Sequence, residues 1–165
     1  MRIIRGNLKN KKLNFPINLK TRPLKDRVRQ NIFNIIEHSN NYEIYLKNSL
    51  VLDLYAGSGS FGLECISRGA RKVLFVENDK EALKSLRKNI ASLNVEKYVE
   101  VFPENVSKFF KKFSLKNYFD IIFFDPPYKN TNFSNIFDTL KEIRVLKEKH
   151  IIILHRERNS SLFSL

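Results

Sequence analysis

The sequence predicts a single α/β domain whose sheet is mostly parallel and carries helices on both faces. From Ser49 onward, apolar runs of strand length alternate with stretches of helical periodicity, which is typical of parallel strands joined by right-handed crossovers. A glycine-rich segment, residues 57–62, lies between a predicted strand and a predicted helix, as in nucleotide-binding α/β folds. The run Phe119 to Phe124 is short, apolar and bounded by chain-breaking residues, which indicates a fully buried strand.

Residues 49–165 form the predicted core of this domain. Its strands are predicted at Leu50–Tyr55, Lys72–Val76, Tyr98–Phe102, Phe119–Phe124 and Ile151–Leu154. Its helices are predicted at Phe61–Ser67, which Gly69 ends, from the cap Asp79 through Leu83, Leu86, Ile90 and Leu93, at Ser107–Phe113 and at Asn135–Arg144.

Residues 1–48 precede that core as a basic segment followed by a helix. The first 25 or so residues interleave lysine and arginine with apolar residues, and the alternation from Lys11 to Phe15 permits a short hairpin. A helix is predicted from Asp26 to about His38. Its apolar face is predicted to consist of Val28, Ile32, Ile35 and Ile36.

Composition narrows the class of protein. The chain has 165 residues, 42% of them hydrophobic, and a formal net charge of +13, which favours a globular protein that binds nucleic acid. A compositional bias towards lysine without any binding role is the alternative. The single cysteine, Cys65, excludes a disulfide framework and indicates a reducing, cytoplasmic setting. We expect no signal peptide, membrane span or metal site, since no long apolar stretch or metal-ligand spacing is present.

The glycine-rich turn Gly57-Ser58-Gly59-Ser60-Phe61-Gly62 predicts a binding site for a nucleotide-like cofactor. Glycines allow a tight turn and close backbone approach, and the helix that follows presents free N–H groups to an anion. This turn alone fits a nicotinamide enzyme as well as a methyltransferase. Asp53 lies four residues before the first glycine, where a carboxylate could reach a cation such as the ammonium group of S-adenosylmethionine. That residue favours the methyltransferase.

Polar residues follow the next two strands at the same edge of the predicted sheet. Glu77 could bind both hydroxyls of a ribose, whereas Asp79 is more useful as a helix cap. Asn105 could bind the amino edge of adenine or, equally well, cap the next helix. Tyr55 and Phe61 could line the pocket, with a core position as the default interpretation of each.

The segment Asp125-Pro126-Pro127-Tyr128 follows the predicted fourth strand directly. Its prolines stiffen the backbone and lack N–H groups, so it presents a carboxylate, a carbonyl and an aromatic ring. Two oxygen acceptors suit the two hydrogens of an exocyclic amine, and a ring can stack on a base for roughly 1–3 kcal/mol. A turn that only ends the strand is the alternative. An all-donor guanine edge suits Asp125 better than an adenine edge, although adenine methyltransferases also use the Asp form.

With these residues, the chain resembles the class I S-adenosylmethionine-dependent methyltransferases, which have a Rossmann-like sheet. It resembles more closely the RsmD family, which methylates the N2 amine of a guanine in 16S ribosomal RNA. The segments that carry the resemblance are Met1-Arg2-Ile3-Ile4, Lys20-Thr21-Arg22-Pro23, Asp26-Arg27-Val28-Arg29, Phe33-Asn34-Ile35, Asp53-Leu54-Tyr55-Ala56-Gly57-Ser58-Gly59, Ser67-Arg68-Gly69-Ala70, Val76-Glu77 and Asp125-Pro126-Pro127-Tyr128. The glycine turn and the last segment specify the reaction type, and only the amino-terminal segments point to this family.

The resemblance implies that Asp53 and the glycine turn hold the methionine part of S-adenosylmethionine, Glu77 the ribose and Asn105 the adenine. It further implies that the substrate is 16S rRNA or the assembling 30S subunit. We expect the enzyme to be a monomer. The candidate site residues are Asp125, Pro126 and Tyr128 for catalysis; Asp53, Tyr55, Gly57, Ser58, Gly59, Glu77, Asn78 and Asn105 for the cofactor; and Arg22, Arg27 and Arg29 for RNA phosphates.

The chain departs from this class of enzymes at its carboxyl end. Class I methyltransferases usually add two strands after the predicted fifth strand, whereas only residues 155–165 follow here. We therefore expect a truncated sheet edge that is open, is covered by another chain or reflects a lost segment. A methyltransferase for N6 of adenine or another amino base in DNA or RNA is the alternative within this class. Two functions of other classes stay open: a nicotinamide-dependent oxidoreductase and a catalytically inactive RNA-binding protein.

Overall fold

A parallel five-stranded sheet forms the centre of the protein, seen in a computed structural model that describes residues 1–16, 24–38, 46–113, 118–126 and 133–155. The strand order is β3-β2-β1-β4-β5, and every neighbouring pair is parallel. The strands are β1 Leu50–Leu54, β2 Lys72–Val76, β3 Val99–Phe102, β4 Phe119–Phe124 and β5 Leu146–Leu154. This architecture confirms the predicted α/β class with a parallel sheet.

Helices cover both faces of the sheet. They are α1 Asp26–His38, α2 Ser60–Ser67, α3 Lys80–Leu93, α4 Val106–Lys112 and α5 Phe133–Glu142. Because successive strand residues point to opposite faces, Val73 and Phe75 of β2 join a core with α1, α2 and α3, whereas Leu74 and Val76 join a second core with α4 and α5. The sheet is thus a buried middle layer whose strand ends define the rim on which a site can be built.

The fifth strand differs most from its prediction. It begins at Leu146, whereas the predicted strand began at Ile151. The prediction missed the first half of the strand because that half is polar. Residues 148–150 are exposed, so their polar sequence does not show the apolar pattern by which buried strands are recognised. The pairing with β4 is also irregular between Phe119 and Ile121, where the register shifts. The other strand predictions lie within one residue of the observed bounds.

Helix α1 presents most of its predicted face to the core, since Ile36 is buried and Val28 and Ile32 pack against the core. Its buried residues are Arg29, Phe33 and Ile36, whereas Ile35 is 59% exposed, so placing Ile35 on the buried face was wrong. Arg29 is 0% exposed. Its guanidinium donates hydrogen bonds to the carbonyl oxygen of Arg2 and to the Asp26 carboxylate, which lies 2.9 Å away. Arginine is tolerated in this core because its polar head has acceptors there.

Residues 1–16 of the amino-terminal segment pack on the core. An antiparallel bridge joins Arg2 and Lys12, in agreement with the predicted hairpin, and the side chains of Ile3 and Leu13 are buried among α1, α2 and α3. The prediction for residues 17–23 lies outside the described residues.

The buried carboxylate of Glu64 in α2 fastens this segment. It accepts hydrogen bonds from the backbone N–H groups of Ile4 at 2.7 Å and Arg5 at 2.9 Å and from Nε of Arg68 at 2.8 Å. All of its partners are donors, so an amide at this position would place an NH2 group against an N–H. The charge of Glu64 therefore fastens residues 4 and 5 of the amino-terminal segment to α2.

We expect Glu64→Gln to lower the free energy of unfolding by about 3–5 kcal/mol, since it removes one partner of a buried charged network. The matched control is Glu37→Gln, which affects the more exposed ion pairs of Glu37 with Arg5 and Arg68 and should cost about 1 kcal/mol or less. Urea denaturation of both variants measures the difference. Equal destabilisation by the two would contradict this role for Glu64.

Candidate active site at the carboxyl ends of the central strands

Three carboxylates meet at the carboxyl ends of β1, β2 and β4. Asp53 lies in β1, Glu77 directly follows β2, and Asp125 directly follows β4. In the β1–β4 register Asp53 is opposite Phe123, so Asp125 lies two residues further along the neighbouring strand. The negative charges of Asp125 and Glu77 both act on Asp53. The sequence prediction that these residues converge on one rim is confirmed.

Asp53 is a buried carboxylate without a cationic partner among the described residues. Its side chain is 1% exposed, and its Oδ2 accepts a hydrogen bond of 3.0 Å from the N–H of Gly62. Burial raises the pKa of Asp53 well above its ordinary value; the Gly62 hydrogen bond opposes this shift, and the charges of Asp125 and Glu77 add to it. A cation that reached Asp53 would offset the free-energy cost of ionising this buried carboxylate beside Asp125 and Glu77.

Glu77 fixes the shape of the glycine turn. Its Oε2 accepts the N–H of Gly57 at 2.7 Å, and its Oε1 accepts the N–H groups of Asn78 at 2.7 Å and Asp79 at 2.8 Å. Asp79 in turn caps α3, because its side chain accepts the N–H of Ala82 at 2.9 Å. The prediction that Asp79 caps the helix is confirmed, and Glu77 remains the candidate for the ribose.

The glycines of the turn have different surroundings. A Cβ atom on Gly57 would meet no other atom within 4 Å, and its φ of +58° lies in the region that favours glycine. A Cβ atom on Gly62 would lie 2.4 Å from the ring of Phe75, so Gly62 is required for α2 to pack against β2. The backbone around Gly57 is therefore open to a ligand, while the helix behind it is held tightly.

The remaining candidate cofactor residues surround this turn. Tyr55 is half-buried, with a positive φ of 59° and its ring edge-to-face with Phe124 at 5.4 Å. Ser58 is buried, and its carbonyl accepts a hydrogen bond of 2.9 Å from the buried side chain of Asn89, which no sequence motif indicates. Asn78 is exposed at the rim.

Asn105 acts as the N-cap of α4. Its Oδ1 accepts the backbone N–H of Lys108 at 2.8 Å, which is the alternative role predicted for it. Its exposed amide lies after β3, two strands from β1. A contact with adenine stays a prediction for the amide NH2 group that the capping bond does not use.

Asp125 and Pro126 lie at the end of β4, whereas Pro127 and Tyr128 fall outside the described residues. The Asp125 side chain is 28% exposed and its Oδ1 lies 2.9 Å from Nδ1 of His155, the residue after β5. No sequence motif indicates this partner. The β4–β5 register, which the polar start of β5 hides, is the information that would have found it.

The three arginines predicted to contact RNA phosphates have different positions in the structure. Arg27 is exposed on α1 and stays a candidate, and Arg22 lies outside the described residues. The selection of Arg29 was wrong, because its guanidinium is buried and bonded to protein oxygens, including the carbonyl of Ser60 at 3.4 Å, and cannot reach a phosphate.

The site as a whole fits a cationic, nucleoside-like cofactor. The buried carboxylate of Asp53, which has no cationic partner among the described residues, suits an ammonium group, and the open backbone at Gly57 allows close approach. Among the described residues no group of three or more His, Cys, Asp or Glu side chains could hold a metal ion. Within the same part of the chain, no helix is long and apolar enough to cross a membrane.

Known proteins have sequences and folds similar to those of this chain. A family described as "Conserved hypothetical protein 95" matches residues 1–165. The ribosomal RNA small subunit methyltransferase D of Buchnera aphidicola from Acyrthosiphon pisum is 35% identical over 97% of this chain and 80% of its own length. The protein of the same name from Haemophilus influenzae is 33% identical over 99% of this chain and 82% of its own length.

Solved structures agree. The structure of yhhF from Escherichia coli superposes with a TM-score of 0.83 at 29% identity, over 100% of this chain and 85% of that one. The precorrin-6y C5,15-methyltransferase from Geobacter metallireducens, at 18% identity, has a TM-score of 0.65 over 87% of this chain and 67% of that one, which shows the fold alone. With full-length family coverage and two relatives above 30% identity, the chain belongs to the RsmD family of methyltransferases.

Proposed function

We propose that this protein transfers a methyl group from S-adenosylmethionine to the N2 amine of a guanine in 16S ribosomal RNA. The observation that carries the proposal is the juxtaposition, on neighbouring strands, of a buried carboxylate suited to a cation, Asp53, and an accessible carboxylate suited to an amine, Asp125. One holds the donor and the other the acceptor of the same methyl group. The names of its relatives support ribosomal RNA of the small subunit as the substrate.

Two side chains and the backbone of the glycine turn hold the cofactor in this proposal. S-adenosylmethionine, when bound, supplies an electrophilic methyl group on a positively charged sulfur. Asp53 pairs with the ammonium group, Glu77 binds the ribose, and the backbone near Gly57 approaches the methionine part. Since Glu77 already bonds the Gly57 N–H, the turn and the ribose contact are held by one side chain.

Asp125 and the carbonyl of Pro126 position the target amine. The lone pair of this amine is delocalised into the ring, so the nitrogen is a poor nucleophile until its hydrogens are held by acceptors that favour a tetrahedral geometry. The bound cofactor would supply its methyl group to this nitrogen as the carbon–sulfur bond broke, and the Asp125 carboxylate could accept the proton that the nitrogen would lose. The target base must be unpaired or flipped out of a helix to reach the site.

Among the described residues, an exposed row of cations on α3 is the surface that best suits the RNA backbone. Lys80, Lys84, Arg87 and Lys88 line one open groove of about 520 Å³, and none of them forms a salt bridge with a described residue. Lys80 lies three residues after Glu77, so the row begins at the rim of the site and runs away from it. Helical spacing separates Lys80, Lys84 and Lys88 by about 6 Å each, which suits a chain of phosphates.

We expect the double variant Lys84→Glu and Arg87→Glu to raise KM for RNA and to reduce the dependence of RNA affinity on salt by about two counterions. The expected kcat and the affinity for S-adenosylmethionine are those of the unchanged protein. Lys108→Glu with Lys111→Glu is the matched control, because these exposed lysines lie on α4, on the opposite face of the sheet. An equal loss of RNA affinity in both double variants would contradict a phosphate-binding role for α3.

Methyl transfer itself tests the proposed function. Purified protein, tritiated S-adenosylmethionine and either 30S subunits or naked 16S RNA from cells that lack this methylation provide the assay. We expect tritium in the 16S RNA, and the substrate that incorporates more identifies naked RNA or the assembled cytoplasmic particle as the target. Calorimetric binding of NADH without binding of S-adenosylmethionine would overturn the proposal, and RNA binding without transfer would indicate an inactive RNA-binding protein.

A further inference from the structure

His155 is bonded to the carboxylate that the proposed function places against the target amine. Its Nδ1 lies 2.9 Å from Oδ1 of Asp125, and the two side chains are 30% and 28% exposed. The backbone of His155 is fixed as well, since its N–H donates to the carbonyl of Phe124 at 3.0 Å. Both the main chain and the ring of His155 are thus tied to the end of β4.

The register of two parallel strands produces this pair. Phe123 is opposite Ile153 and Phe124 is opposite Leu154, so the next residues along each strand, Asp125 and His155, are also neighbours. Side chains at equivalent positions of adjacent strands point to the same face, about 5 Å apart. The pairing is therefore built into the sheet and does not depend on a long side chain that happens to reach across.

The electrostatics of the rim favour a donor in this position. Asp53, Glu77 and Asp125 bring three carboxylates together, and His155 is the basic side chain bonded to one of them. The hydrogen bond to Asp125, with a smaller contribution from its charge, raises the pKa of the His155 imidazole, against the opposing effect of burial. Asp125 is the only charged group among the described residues that shifts this pKa.

We propose that His155 is a positioning residue for methyl transfer, which holds Oδ1 of Asp125 so that the remaining acceptor positions of the carboxylate receive the hydrogens of the target amine. An ionised carboxylate has about four acceptor positions, and the bond from His155 uses one of them. Without this bond Asp125 is free to rotate about its side-chain torsions, and the amine is no longer held in one orientation. This inference rests on the proposed function, because it requires Asp125 to contact the substrate.

Histidine titration by NMR tests the pairing without any activity. The chain has three histidines, so the His155 signal can be assigned by its loss in His155→Asn, and the signals of His38 and His150 serve as internal references. We expect the pKa of His155 to lie above the ordinary value for histidine and to fall in Asp125→Asn. An unchanged titration of His155 in Asp125→Asn would overturn the pairing.

Kinetics of three variants test the role. We expect His155→Leu to lower kcat by roughly 10- to 100-fold, the effect typical of removing a hydrogen bond to a charged group, with little change in KM for RNA or in cofactor affinity. His155→Asn should recover much of this loss, because its Nδ2 can donate to Asp125 from nearly the same position as Nδ1. His150→Leu, an exposed position on β5, is the control and should be fully active.

The outcomes separate this inference from the proposed function. Full kcat in His155→Leu, in a preparation whose unchanged protein transfers methyl groups, would overturn the positioning role alone. A loss that His155→Asn does not recover would also overturn it, since a donor would then not be what matters. Absence of methyl transfer by the unchanged protein would overturn the proposed function, and this role with it.

Discussion

Replacing Asp125 with alanine is expected to lower kcat for methyl transfer by at least about 100-fold while leaving S-adenosylmethionine binding intact. The carboxylate accepts hydrogens of the target amine in the proposed mechanism. Removal of one preorganised electrostatic group typically lowers kcat by about 10²–10³-fold, and we expect a loss of at least this size for Asp125→Ala. The side chain lies at the end of β4 and not in the glycine turn, and it is partly exposed, so its loss should leave the fold stable. Single-turnover transfer of tritium to undermethylated 30S subunits measures the effect.

The controls for Asp125→Ala separate chemistry from binding. Calorimetry with S-adenosylmethionine should give a Kd similar to that of the unchanged protein, and thermal unfolding should show a similar midpoint. Asp125→Asn is a stricter variant, since it keeps the shape but replaces one acceptor oxygen by a donor, which does not match the all-donor edge of guanine. Full activity in Asp125→Ala would remove this residue from the mechanism.

Replacing Asp53 with asparagine is expected to weaken cofactor binding and, at neutral pH, to stabilise the free protein. Loss of one partner of a buried charge pair costs about 2–5 kcal/mol, so the Kd for S-adenosylmethionine should rise at least roughly thirtyfold. Stability should rise because the charge of Asp53 is buried beside two other carboxylates, while an asparagine oxygen can still accept the Gly62 N–H. Calorimetry and urea denaturation measure the two effects.

The pH dependence gives this prediction a definite sign. Since the folded-state pKa of Asp53 is raised, its ionisation opposes folding at every pH above that value. As the pH falls, Asp53 takes up a proton first in the folded state, and the penalty disappears between the folded and the unfolded pKa. Asp53→Asn has no such ionisation, so its stability advantage should shrink towards acid pH. An advantage that grows towards acid pH, or a destabilised variant at neutral pH, would contradict this interpretation of Asp53.

The sequence predicted the parts of the site that depend on strand order and local chemistry. Alternating strands and helices imply parallel strands, and the carboxyl ends of parallel strands meet at one edge, so Asp53, Glu77 and Asp125 could be placed together from their positions alone. The cap at Asp79 and the close packing at Gly62 were likewise predictable, because each depends on neighbours within one supersecondary unit.

The features that the sequence did not predict depend on tertiary partners. Arg29 reads as a surface arginine, and the acceptors that make its burial tolerable include the backbone oxygens of Arg2 and Ser60, which are remote in the chain. His155 reads as an isolated histidine, and only the β4–β5 register reveals Asp125 beside it. Charge and periodicity are properties of one segment, whereas these contacts join segments that are remote in the chain.

Identification of the methylated nucleoside tests the central claim most directly. 16S RNA from undermethylated 30S subunits, treated with this protein and S-adenosylmethionine, is digested to nucleosides and analysed by mass spectrometry. We predict a new N2-methylguanosine signal that depends on the protein and disappears with Asp125→Ala. Methylation of an adenine, or no methylated nucleoside at all, would contradict the assignment of guanine N2 as the substrate of this site.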